Sequence, residues 1–114
     1  MSDPGMILVA EVHGLAGTVV ELRALLAELA DGARGEPECV GFRVLAAEDP
    51  GDFVLLASWT SESALRAHYD TAHYRRYDEQ VGGLLARPSE VVVHHIAATI
   101  HPIASSPPDP GELG

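Results

Sequence analysis

The chain reads as an α+β sandwich of the ferredoxin-like type, a βαββαβ order with an antiparallel sheet. Three observations predict it. Short apolar runs and helical patterns follow one another as strand, helix, strand, strand, helix, strand, which is two split β-α-β units. The turn signal Glu48-Asp49-Pro50-Gly51-Asp52 joins the two middle strands as a hairpin. A length of 114 residues suits one domain with one modest core.

Each element has its own signature. Met6 to His13 (MILVAEVH) is an apolar, branched run of strand length. Gly14 to Gly17 turns the chain, and Thr18 with Glu21 three residues on predicts a capping box. Val19, Leu22, Leu25, Leu26 and Leu29 form one apolar stripe, and Gly32 and Gly35 end that helix. Cys39 to Ala47 alternates as the second strand, with Val40, Phe42, Val44 and Ala46 on one face and Cys39, Gly41, Arg43 and Leu45 on the other. Phe53 to Thr60 is the third strand. Ser61 caps a second helix running to about Tyr69, and Asp70-Thr71 caps a further turn that carries His73 and Tyr77. Gly82, Gly83 and Pro88 break the chain before a last strand from Glu90 to Ile100. The domain therefore spans residues 6–103. Residues 104–114, with Ser105-Ser106-Pro107-Pro108-Asp109-Pro110-Gly111, read as a disordered tail, and Met1 to Gly5 likewise.

Both faces of the strands are apolar. Val54 and Leu56 oppose Phe53 and Leu55, while Val91 and Val93 oppose Val92 and Ile96. Helices cover one face only, so the other predicts a homodimer through the sheet faces.

Seven basic residues stand against 17 acidic ones, a formal net charge of −10. That balance excludes a phosphate-backbone binder, so no nucleic acid is expected, and it disfavours anionic lipid. No apolar run approaches the ~20 residues of a membrane span, so no membrane partner is expected. The N-terminus does not read as a signal peptide and the single Cys39 cannot form an internal disulfide, so the expected location is cytoplasmic.

The run from Phe53 through Trp59, Leu65 and His68 to His73, with the lead-in Glu36-Pro37-Glu38-Cys39-Val40-Gly41-Phe42, resembles the antibiotic biosynthesis monooxygenase domain over about residues 6–100. Glu38 stands where that family usually has Gly. The resemblance implies a dimeric α+β barrel. It also implies a cofactor-independent monooxygenase that converts a polycyclic phenol, anthrone or hydroquinone to a quinone with O2, so no cofactor and no metal are expected. The protein's part there is a dry apolar pocket for a small aromatic substrate, a base and a hydrogen-bond donor. The haem-degrading branch carries an Asn on the first strand and a Trp in the second helix. Here there is no Asn, and the Trp position falls at His68. The anthrone-oxidising branch has an Asn and a Tyr where this chain has Leu55 and Leu65, and only its Trp is matched, by Trp59.

His68 and His73 are the candidate catalytic residues, one as base and the other as donor, because imidazole titrates near neutral pH. Five residues on one continuous helix diverge by about 140°. A break at Asp70-Thr71 lets the pair converge. Trp59, Tyr69, Tyr77 and Arg43 are the candidate substrate-pocket residues, with Trp59 as a wall for a flat ring. His13, His94, His95 and His101 show no metal-binding spacing, and adjacent strand residues face opposite sides. Two other functions fit the same fold: a non-catalytic small-molecule binder or accessory protein, and an isomerase of a small carbonyl compound.

Overall fold

The computed structural model describes residues 3–102. The tail at 104–114 and the first two residues lie outside the described residues. The elements are β1 (Met6–His13), α1 (Val19–Arg34), β2 (Cys39–Ala46), β3 (Asp52–Trp59), α2 (Glu62–Tyr69), α3 (Ala72–Val81), one 3-10 turn (Gly82–Leu84) and β4 (Glu90–His95). The sheet has the order β2-β3-β1-β4, and every neighbouring pair is antiparallel. This is the ferredoxin-like α+β arrangement that the sequence predicts.

Register explains both faces. Phe42, Ala57, Leu8 and Val93 form one row across the sheet, and Val44, Leu55, Ala10 and Val91 the next. These rows face the helices. Leu22, Leu25, Leu26, Leu29, Ala30 and Ala33 of α1 are buried there, with Tyr77 and Val81 of α3. Trp59, Leu22, Leu26 and Val12 are the largest fully buried side chains, each contributing about 1.5–3 kcal/mol through burial. On the opposite face Arg43, Leu56, Val9 and Val92 lie in one row. Leu45, Leu56 and Val92 keep 45%, 37% and 53% of their surface there, so the described residues leave the outer face uncovered. No helix among the described residues is long and apolar enough to cross a membrane.

Several boundaries move from their predicted places. The Thr18 hydroxyl donates to the carbonyls of Leu15 and Leu84, at 2.7 and 3.1 Å, and makes no capping bond, so the capping box does not form. Gly32 lies inside α1, and Gly35 alone ends it. An irregularity between Cys39 and Gly41 puts Cys39 opposite Trp59, on the core side and not with Arg43. β4 stops at His95, which pairs with Met6, the first residue of β1, and a single further backbone bond lies beyond that pair. Gly5 belongs to the ordered domain: its N–H donates to Trp59 O, and its carbonyl accepts from Ile96. In the β2–β3 hairpin Gly51 takes φ +87°, a conformation that side chains with a Cβ rarely adopt.

Candidate functional site

Three separate segments converge at one end of the helical layer. The first is the turn that leaves α1. Gly35 N–H donates to Gly32 O and Glu36 N–H to Ala33 O, which tightens the helix end. The Cys39 N–H then donates to Glu36 O and leads the chain into β2. The second and third segments are the end of α2 and the start of α3. Thr71 separates them and serves both. Its hydroxyl donates to His68 O at 2.7 Å and accepts from Tyr74 N–H at 3.3 Å. One helix is closed and the next is opened by the same side chain.

That break brings His68 and His73 together. His68 Nδ1 lies 2.6 Å and His73 Nε2 2.7 Å from the same oxygen, Oε2 of Glu36. An ionised carboxylate only accepts, so both nitrogens donate. The tautomers follow. His68 carries its hydrogen on Nδ1 and leaves Nε2 as a lone-pair acceptor. His73 carries its hydrogen on Nε2. A carboxylate that orients an imidazole in this way also raises its basicity.

The surroundings set the charge of His68. The residue is 3% exposed. Its ring lies 4.5 Å from the Trp59 ring and 5.2 Å from Tyr74, with Phe42 at 6.1 Å. Burial pushes its pKa below the ordinary 6.5, against the smaller upward pull of Glu36. His68 is therefore a neutral imidazole at pH 7. His73 is seated by a close approach to α1, since a Cβ on Gly32 would fall 2.5–2.8 Å from His73 Cγ, Cβ and Nδ1.

Beside this cluster lies a cavity of about 190 Å³ between the sheet and α2–α3. Its wall includes Leu55, Phe42, Tyr69, Tyr74 and Tyr77, with Asp78 and Ser89 as polar groups. Tyr69 and Tyr74 meet edge to face at 4.9 Å, and Tyr74 and Tyr77 lie 6.1 Å apart. Burial raises all three phenol pKa values, that of Tyr77 to about 12, with the Tyr74 and Asp78 charges adding to it. The three rings are therefore neutral donors at pH 7.

The predicted site residues divide. His68 and His73 meet on Glu36, while Tyr69 and Tyr77 line the cavity. Trp59 does not line it. It lies fully buried behind His68, and its Nε1–H has no hydrogen-bond partner among the described residues. Arg43 does not line it either, because β2 register turns it to the outer sheet face opposite Leu56. His68 itself is not in the wall; its ring stands 5.2, 5.8 and 6.1 Å from those of the wall residues Tyr74, Tyr69 and Phe42. Sequence reasoning gives no role to Glu36, and it groups Tyr74 with Tyr69 and Tyr77 near the histidines as a phenol that could donate to substrate without counting it among the pocket residues. Glu36 lies 32 and 37 residues from its partners, so no local spacing points to it. The signal was its place in the Glu-Pro lead-in to β2.

The comparisons agree with this fold. Residues 5–80 match the sequence profile of the family described as "Antibiotic biosynthesis monooxygenase". The chain is 39% identical over 72 residues to "Putative monooxygenase Rv0793" of Mycobacterium tuberculosis, covering 63% of this chain and 71% of that protein. The solved structure of Rv0793 superimposes with a TM-score of 0.74 at 29% identity, over 90% of this chain and 98% of that one. PA3566 from Pseudomonas aeruginosa shares the fold with a TM-score of 0.76 at 24% identity, over 86% and 98% of the two chains. The profile match extends from the first strand through both histidines to the end of α3, and on that evidence the chain belongs to the antibiotic biosynthesis monooxygenase family.

Proposed function

We propose that this protein is a cofactor-independent monooxygenase that oxidises an electron-rich phenol, anthrone or hydroquinone to a quinone with O2. One observation carries the reading: a buried, neutral His68 has Nδ1–H anchored on Glu36 and Nε2 left to accept a proton, one ring away from an apolar cavity. Nε2 takes a proton from the substrate. Glu36 stabilises the imidazolium that forms, and the substrate anion passes its electrons to O2. For an anthrone, the methylene becomes a carbonyl and the second oxygen atom leaves as water. His73 completes the unit by holding Glu36 in place. The family and the name of the Mycobacterium relative support the reaction class.

The cavity narrows the substrate. Ligand pockets usually span ~300–1,000 Å³. A volume of about 190 Å³ accepts a small aromatic ring system unless the Tyr69–Tyr74 pair swings outward. Tyr69 is 37% exposed, so its ring has room to move. We also propose that the working unit is a homodimer through the outer sheet faces, which buries Leu45, Leu56 and Val92.

Oxygen uptake by metal-stripped protein with an anthrone and hydroquinone panel tests the reading. Uptake by wild type but not by His68→Ala supports it. Wild-type turnover in a folded His68→Ala protein overturns the assignment of the base. A second reading, non-catalytic aromatic binding, is favoured by the position of His68 behind the wall and not in it. A bound ligand that survives unchanged in air decides for it.

A further inference from the structure

The cluster at the end of α1 has a second chemical meaning. One ligand atom from each of Glu36, His68 and His73 lies within 4.8 Å of the others. Two imidazoles and one carboxylate form a donor set suited to first-row divalent transition metals. We propose that these three side chains bind one such ion, of the Zn2+, Co2+ or Fe2+ class, with its remaining coordination positions left to water or a small ligand.

The geometry is close to what the ion requires. Metal–donor bonds of ~2.0–2.2 Å in tetrahedral coordination place neighbouring donors about 3.3–3.6 Å apart. The two nitrogens now stand 2.6 and 2.7 Å from Glu36 Oε2, so the donors open by roughly 0.6–1 Å around the ion. The ion takes the place of two N–H hydrogens. Each N–H hydrogen moves to the other nitrogen of its ring, so both imidazoles keep one hydrogen, no proton is lost, and the ion's two positive charges are offset in part by the Glu36 carboxylate. Three different segments supply the ligands, and the Gly32 seat and the Thr71 bonds fix two of them. A second cluster, Glu11, His13 and Glu90, is less suited. Asp52 already holds His13 Nδ1 at 3.1 Å, and Arg87 puts its own cation 3.3 Å from both ring nitrogens.

Occupancy has a consequence for His68. A metal on Nδ1 moves the hydrogen to Nε2 and removes the acceptor there. Metal binding and action as a base therefore exclude one another at this residue.

The single Trp59 supplies a reporter, since its ring lies 4.5 Å from His68. Chelator-treated full-length protein is titrated with Co2+ while tryptophan emission and visible absorption are followed, and Zn2+ is then added in competition. The expected result is one Co2+ per chain, strong quenching of Trp59 and recovery on adding Zn2+. Glu36→Gln and His73→Ala each weaken binding at least ~10-fold, the loss that even an outer-shell partner produces. A variant with His94, His95 and His101 all changed to Gln keeps full affinity. Binding without quenching overturns the proposal, as does binding lost in that triple variant. Should Glu36→Gln fail to fold, the wild-type quench and the triple variant still decide. The titration uses no substrate, so its failure leaves the oxygenase reading standing, and loss of oxygen uptake leaves the metal site standing.

Discussion

Gly32 lies directly against the imidazole of His73, with no room between them for a methyl group. A helix interior normally favours Ala over Gly by ~1 kcal/mol. Here the preference reverses. Gly32→Ala is expected to destabilise the fold by about 1–3 kcal/mol through overpacking, and to displace His73 from Glu36. Urea unfolding reads the first effect, and the imidazole resonances of His73 read the second. An alanine variant as stable as wild type with His73 unmoved would show that the seat is slack.

Acid should weaken the fold through His68. Its folded pKa lies below 6.5 because burial disfavours the imidazolium. The unfolded chain takes up a proton near that value which the folded chain refuses. This contribution to stability is complete above pH 6.5 and is lost as pH falls from there toward the lowered folded value. Imidazole titration by NMR should place the His68 midpoint below 6.5. A midpoint above it contradicts the sign.

The same shift sets the pH profile of the proposed reaction. The acid limb of kcat/KM should fall below pH 6.5, because His68 stays deprotonated down to its lowered value. Glu36→Gln removes the group that pulls this pKa up, so the limb should move further toward acid while kcat drops. An unchanged limb would separate Glu36 from the base.

Tyr77 should be the last tyrosine to ionise. Its phenol is held up to about 12, whereas Tyr69 and Tyr74 are raised without reaching a comparable value. Ultraviolet titration of wild type and Tyr77→Phe isolates it. Removal of a phenol that titrates near 10 would mean that Tyr77 is solvated.

The outer sheet face separates two roles. Arg43→Ala is expected to leave aromatic binding in the cavity within ~0.5 kcal/mol of wild type, since Arg43 faces away from it. Leu56→Glu in the same row is expected to shift the protein toward monomer in sedimentation velocity. A dimer untouched by Leu56→Glu places the interface elsewhere.

Much of this architecture was legible in the chain. The apolar run of Met6–His13, the two-sided pattern from Phe53 to Thr60 and the stripe of α1 lead to the sheet and its helical cover, because burial acts on side chains at fixed periods. The break between the histidines was legible too, since a threonine cap is a local signal. Glu36 was not, because its partnership spans 32 residues and depends on how α1 lies against α3. Alternation alone puts Arg43 on the strand face opposite Phe42, as the register does, whereas what Trp59 packs against depends on the helices above β3. Thr18 carries a capping pattern, yet its hydroxyl turns to two carbonyls, that of Leu15 in the preceding turn and that of Leu84 in the returning chain.

The Thr71 break also bears on how such sites are found. In an unbroken helix, residues five apart diverge by about 140° and carry no joint chemistry. With a threonine that closes one helix and opens the next, the string His68-Tyr69-Asp70-Thr71-Ala72-His73 becomes a spatial pair. One residue inserted between Thr71 and His73, inside α3, turns His73 by about 100° relative to that cap and takes it off Glu36. The spelling His-x-x-Thr-x-His, downstream of a Glu-Pro that leads into a strand, is thus a searchable sign of this three-segment site.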